Sequence, residues 1–171
     1  MINWPQLEND IASYLDLKRA KSEDDLAKYI SDRYDQQIKL GLNQYQEGIA
    51  ATNKESLKTF IALALREARA GKNLQSVAQR ISTGIISYWN TVQMKIDVPP
   101  LGAVSVVTNK VVNPGTPFSF VIINTLDPKR LAKTMTNAFK LHSNTIQGIT
   151  TALVYTGTTL VPTPFPWTGI K

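Results

Sequence analysis

Apolar side chains recur at helical spacing along the front of the chain and at strand spacing further back. Trp4, Leu7, Ile11, Tyr14 and Leu15 mark one buried face of a helix starting near Asn3, with Pro5 tolerated in its first turn. A second helix is expected from Ser22, whose following Glu23, Asp24 and Asp25 suit free amides and the positive helix end. It continues through Leu26, Ile30, Tyr34 and Ile38. Residues 41–53, GLNQYQEGIAATN, loosen between two glycines and read as a connection. Thr52 and Glu55 stand at capping-box spacing ahead of Leu57, Phe60, Ile61, Ala64 and Leu65, so a third helix begins there and stops before Gly71. A fourth follows Asn73, with Leu74, Val77, Ile81, Ile85, Tyr88 and Val92 near one stripe, and Gly84 in it suits close backbone approach.

The paired prolines of DVPPLGA, residues 97–103, end helical order. VSVVTNKVV and PFSFVIIN beyond them are β-branched and aromatic, and the Asn113-Pro114-Gly115-Thr116 turn between them predicts an antiparallel hairpin. Phe118, Phe120 and Ile122 share one of its faces. Asp127 and Pro128 open a fifth helix carrying Leu131, Met135, Phe139, His142 and Ile146 on one side. The stretch from Gly148 suits either an extension of that helix or a strand, and threonine content favours a strand after about Thr150. Alternating prolines in VPTPFPWTGIK hold the end of the chain near polyproline II.

The expected fold class is α+β: an N-terminal bundle of about four helices, a β-hairpin, a fifth helix and an extended proline-rich C-terminal arm. The corresponding regions are residues 1–96, 97–160 and 161–171. A chain of 171 residues suits one principal domain, and 43% hydrophobic with 19% charged residues is a globular composition. MINWPQLEND lacks the basic and apolar regions of a secretory signal, so synthesis in the cytoplasm is expected. FIALAL is too short an apolar run to cross a membrane.

Charge is uneven. Residues 1–70 carry ten Lys/Arg against eleven Asp/Glu, whereas residues 71–171 carry nine against two, so the net +6 of the chain resides in its second part. That part is expected to face something acidic: nucleic acid, another subunit or an anionic surface. Lys129, Lys133 and Lys140, with Arg130 beside them, form a basic stripe on the fifth helix, without the interleaved aromatics that stack on bases. A solvated face is the simpler reading of it.

Candidate chemistry is sparse. There is no cysteine, which removes disulfides and thiol nucleophiles, and the single histidine, His142, lies among Met135, Phe139 and Ile146, where a packed ring is expected. Asp24 and Asp25 are explained by capping, and no glycine-rich phosphate loop or metal-ligand spacing occurs. No catalytic or metal-binding residue is assigned, and no cofactor is expected. The arm offers Pro162, Pro164, Phe165, Pro166, Trp167 and Ile170 as partner-binding residues, to a groove of its own domain or equally to one on a neighbouring subunit.

The stretches GIISYWN, VVNPGTPFSF, LDPKRLAK, GITTALV and PTPFPWTGIK together resemble small virion structural proteins of tailed bacteriophages, of the neck, tail or baseplate type. That resemblance implies a non-enzymatic protein located in the virion, whose partners are other copies of itself and other virion proteins. The leading expectation is therefore an assembly protein that oligomerises through its C-terminal arm. A nucleic-acid-associated protein using Lys129, Arg130, Lys133 and Lys140 is the alternative, and an enzyme dependent on His142 ranks third.

Overall fold

In the computed structural model, residues 1–16, 22–115 and 127–171 are described. Among these residues there are five helices and five strands. They are α1 (Trp4–Asp16), α2 (Glu23–Ile38), β1 (Ile49–Ala51), α3 (Lys54–Arg69), α4 (Leu74–Trp89), β2 (Gln93–Met94), β3 (Ser105–Asn113), α5 (Pro128–Ser143), β4 (Gln147–Thr156) and β5 (Thr159–Thr168).

The helices begin where short polar side chains relieve free amides. Asn3 Oδ1 accepts from Gln6 N at 3.0 Å, and Ser22 Oγ accepts from Asp25 N at 3.0 Å while donating to Asp25 Oδ2 at 2.7 Å. Asn73 and Asp127 cap α4 and α5 in the same manner, accepting from Gln75 N at 2.7 Å and from Lys129 N at 3.0 Å. The capping box expected at Thr52 is not formed: Asn53 occupies the cap position without a side-chain bond, and the Thr52 hydroxyl donates to Asp35. A buried carboxylate on the neighbouring helix outcompetes a local cap. Helix α1 packs on α5 and α2, α2 on α3, and α3 on α4. A Cβ on Gly84 would lie 2.5 Å from Phe60 Cβ, so this glycine does admit a close approach of α3.

The strands form one antiparallel sheet in the order β1-β2-β3-β4-β5, which overturns the expected hairpin, helix and arm. Among the described residues, the long partner of β3 is β4, from Ser105↔Leu153 to Asn113↔Gln147. The proposed hairpin partner of β3, with Phe118, Phe120 and Ile122, lies outside the described residues. Two short strands also interrupt the helical front, and β1 lies inside the stretch read as a connection.

The proline-rich end is not a free arm but strand β5, paired with β4 from Thr156↔Thr159 to Gln147↔Thr168. Pro162, Pro164 and Pro166 have no N–H, and at every second residue of an edge strand all three missing donors face outward. The intervening Val161, Thr163, Phe165 and Trp167 keep their amides for β4. Prolines at period two satisfy a sheet edge as well as they satisfy polyproline II. The expected strand after about Thr150 exists and starts three residues sooner, at Gln147.

Beyond β5, Lys171 and Leu42 exchange backbone hydrogen bonds at 2.9 and 3.0 Å, Leu42 bridges Gly48, and Gly48 O accepts from Lys95 N at 2.8 Å. Backbone pairing thus runs in a closed circuit at this end of the sheet, through β2, β3, β4, β5, Leu42 and Gly48. One contiguous core joins helices and sheet, including Leu7, Tyr34, Ile61, Trp89, Phe139, Trp167 and Ile170.

Candidate functional site

The residues assigned to the arm divide by side. Phe165, Trp167 and Ile170 turn inward: Phe165 meets Tyr45 edge-on at 6.1 Å, and Trp167 and Ile170 are buried at 2% and 0% exposure. Trp167 lies across Gly148, where a Cβ would come within 1.9 Å of the ring, and its Nε1 donates to Asn109 Oδ1 at 3.1 Å. Ile170 packs against Gly41 and Ile2. Pro162, Pro164 and Pro166 face solvent on the other side. The aromatics dock within their own chain, on the 42–48 loop and the sheet interior.

That loop is a polar clasp. Asn43 Oδ1 accepts from the amides of Tyr45 and Glu47 at 2.9 and 3.0 Å, while Gln46 takes a positive φ of 67°. Tyr45 Oη and Gln44 Nε2 donate to the outward carbonyl of Pro166 at 2.9 and 3.0 Å. The buried carboxylate of Glu47 accepts at Oε2 from Asn43 Nδ2 at 2.5 Å and from Thr150 Oγ1 at 2.7 Å.

A second buried network lies among the helices. Asp35 accepts from Tyr88 Oη at 2.9 Å and from Thr52, and pairs with Lys39 Nζ at 2.8 Å. Trp89 Nε1 donates to Tyr34 Oη at 2.8 Å. Burial holds both phenols well above the ordinary tyrosine range, so they serve as neutral hydrogen-bonding groups.

His142 lies with them, 1% exposed and 6.4 Å from the Trp89 ring. Burial pushes its pKa down to about 4, against the opposing influence of the Pro114 carbonyl. Its surroundings are those of a packed, neutral ring. Asp24 and Asp25 separate, Asp24 to Arg66 Nη2 at 2.7 Å and Asp25 to the Ser22 cap. Among the described residues, no group of three His, Cys, Asp or Glu is placed to hold a metal ion, and no helix is long and apolar enough to cross a membrane.

The structure does bring Lys129, Arg130, Lys133 and Lys140 together on the exposed side of α5, and none has a carboxylate partner among the described residues. Lys129 borders a groove against α1 that Glu8 and Asp16 also line, so acidic side chains adjoin one end of the stripe.

Sequence reasoning missed the outer face of the sheet. From Leu141 to Ile170 the chain has no Asp, Glu, Lys or Arg, and this run forms the last two strands. Their outward side chains are Ile149, Thr151, Leu153 and Tyr155 on β4, facing Pro166, Pro164, Pro162 and Leu160 on β5. On β3, Thr108 and Lys110 continue the same face opposite Thr151 and Ile149. No described helix packs there. The β4–β5 hairpin also runs past the start of β3, so among the described residues its last rungs, Val154↔Val161, Tyr155↔Leu160 and Thr156↔Thr159, have no third strand. Tyr155 is 61% exposed at that end, and Leu101 on the loop before β3 is wholly exposed. The absence of charge between Leu141 and Ile170 was the signal that could have revealed this surface.

No family model matches the chain, and no curated protein or solved structure is significantly similar to it.

Proposed function

We propose that this protein is a non-enzymatic structural protein that assembles with copies of itself and with other proteins through its sheet. The observation that carries the reading is the exposed, uncharged face of β4 and β5 with its unsupported hairpin end. A two-stranded ribbon is marginal in water unless something packs on it, and contiguous exposed apolar surface marks contact sites. The virion setting, as a neck, tail or baseplate component of a tailed phage, rests on the sequence resemblance alone. The C-terminal segment has no part as a free arm, because its aromatics are used within the chain.

Light scattering across a concentration series tests the reading. A mass rising from the 19.0 kDa of one chain to a defined multiple supports it. A single-chain mass at every concentration removes self-assembly.

The basic stripe of α5 supports a second reading, contact with a polyanion. Retention on duplex DNA that falls steeply with added salt and weakens in Lys133→Glu is its expected signature. Absence of retention at low salt rules it out.

A further inference from the structure

We infer that the outer face of β3, β4 and β5 is a self-association surface whose occupant is the same face of a second copy of this chain, related by a two-fold axis. This rests on the assembly reading above and adds the surface, the partner and the symmetry.

Charge selects the occupant. Apart from Lys110 on β3, the central strand of the sheet, the outward positions of these strands are Thr, Pro, Ile, Leu, Val, Tyr, Ser, Asn and Gln. Such a face gives a polyanion or an acidic peptide almost nothing to bind, whereas it suits another uncharged sheet surface. Its own twin in a second copy is such a surface, and an isologous contact uses one patch twice.

Rigidity favours the contact as well. Pro162, Pro164 and Pro166 lose no rotamer freedom on docking, and Thr108 and Thr151 lose little, so ordering costs less than on a face of long side chains. Area makes the dimer weak. Three strands about 4.8 Å apart and about 30 Å long present roughly 430 Å² per copy, and the hairpin end raises the total for two copies to about 1,000 Å², the lower bound for specific interfaces. The contact therefore forms with rising concentration rather than permanently. It also covers the outward side chains Tyr155 and Leu160, which are 61% and 39% exposed.

Two kinds of variant test this in the full chain. Thr151→Glu, near the centre of the face, and Leu160→Glu, on the hairpin end, each bring like charges together across a two-fold contact. With circular dichroism unchanged, both are expected to keep the single-chain mass at concentrations where the wild type reaches twice 19.0 kDa, while Lys129→Glu on α5 dimerises normally. Because the chain has no cysteine, Thr151→Cys provides an independent probe that hardly alters the fold. Mild oxidation is expected to give a disulfide-linked dimer, and Ser13→Cys on α1 is expected to give none.

If the wild type associates but neither glutamate variant weakens it and Thr151→Cys does not cross-link, this face is the wrong one while the assembly reading stands. If the wild type keeps the mass of one chain throughout, both fall.

Discussion

The surface of α2 and α3 is laced with ion pairs: Arg66 with Asp24, Arg69 with Glu23, and both Lys28 and Lys54 with Asp32. Strands β4 and β5 carry no charged residue at all. The two regions share one core, and each holds a buried carboxylate by hydrogen bonds, Asp35 with Tyr88 on one side and Glu47 with Thr150 on the other. They differ most outside. Alternating charges keep the helical surface hydrated and discourage close approach, whereas the uncharged sheet surface lacks that protection. The difference teaches that interior packing and surface character are separable: the sheet buries Trp167 and Ala152 as fully as the helices bury Tyr34 and Trp89, yet its outside is bare of charge.

The comparison can be broken most forcefully from within the sheet. Gly148→Ala places a methyl group where the Trp167 ring lies, forcing out the aromatic that anchors β5. A loss of about 4 kcal/mol or more in urea unfolding is expected, and a loss under about 1 kcal/mol would mean that β5 is not anchored in this way. In the helical half, Asp35→Ala strips Tyr88 and Thr52 of their acceptor and is expected to cost about 3 kcal/mol by the same measurement.

Acid sharpens the boundary between the two. His142 is held near 4, below the ordinary histidine value of 6.5, so the unfolded chain binds a proton at a higher pH than the folded one. Its contribution is complete above about pH 6.5 and is lost as pH falls toward 4, amounting to about 2 kcal/mol by pH 5. Unfolding curves at several pH values are expected to show this slope, and His142→Phe to flatten it. The smallest effect belongs to the surface: Arg66→Ala removes an exposed pair with Asp24 and is expected to cost less than about 1 kcal/mol, diminishing with salt.

Local signals carried the sequence reading wherever structure is local. Ser22, Asn73 and Asp127 announced three helices because a cap and its amide lie within three residues. Thr52 misled because its stronger partner, Asp35, lies on another helix. Strand β5 was misread because prolines at every second position fit both polyproline II and an outward-facing edge, and only the presence of β4 decides between them. The 42–48 loop gave no hint of its role, since Tyr45 and Gln44 meet Pro166 across more than a hundred residues. For the candidate surface, the legible part was the unusual character of the C-terminal segment. Its solvent-facing side became clear only when the register separated Trp167 from the prolines.

The row of outward prolines on β5 also limits what kind of polymer this protein can make. An open strand edge recruits another strand, then another, and such growth within the plane of a sheet has no natural end. Pro162, Pro164 and Pro166 withhold the donors that such growth requires, and the Pro166 carbonyl is already taken by Tyr45 and Gln44. On the proposed two-fold contact, association at this side of the molecule would be diverted from edge to face, where two copies close on each other and stop. An apolar sheet can remain on the surface without seeding fibres.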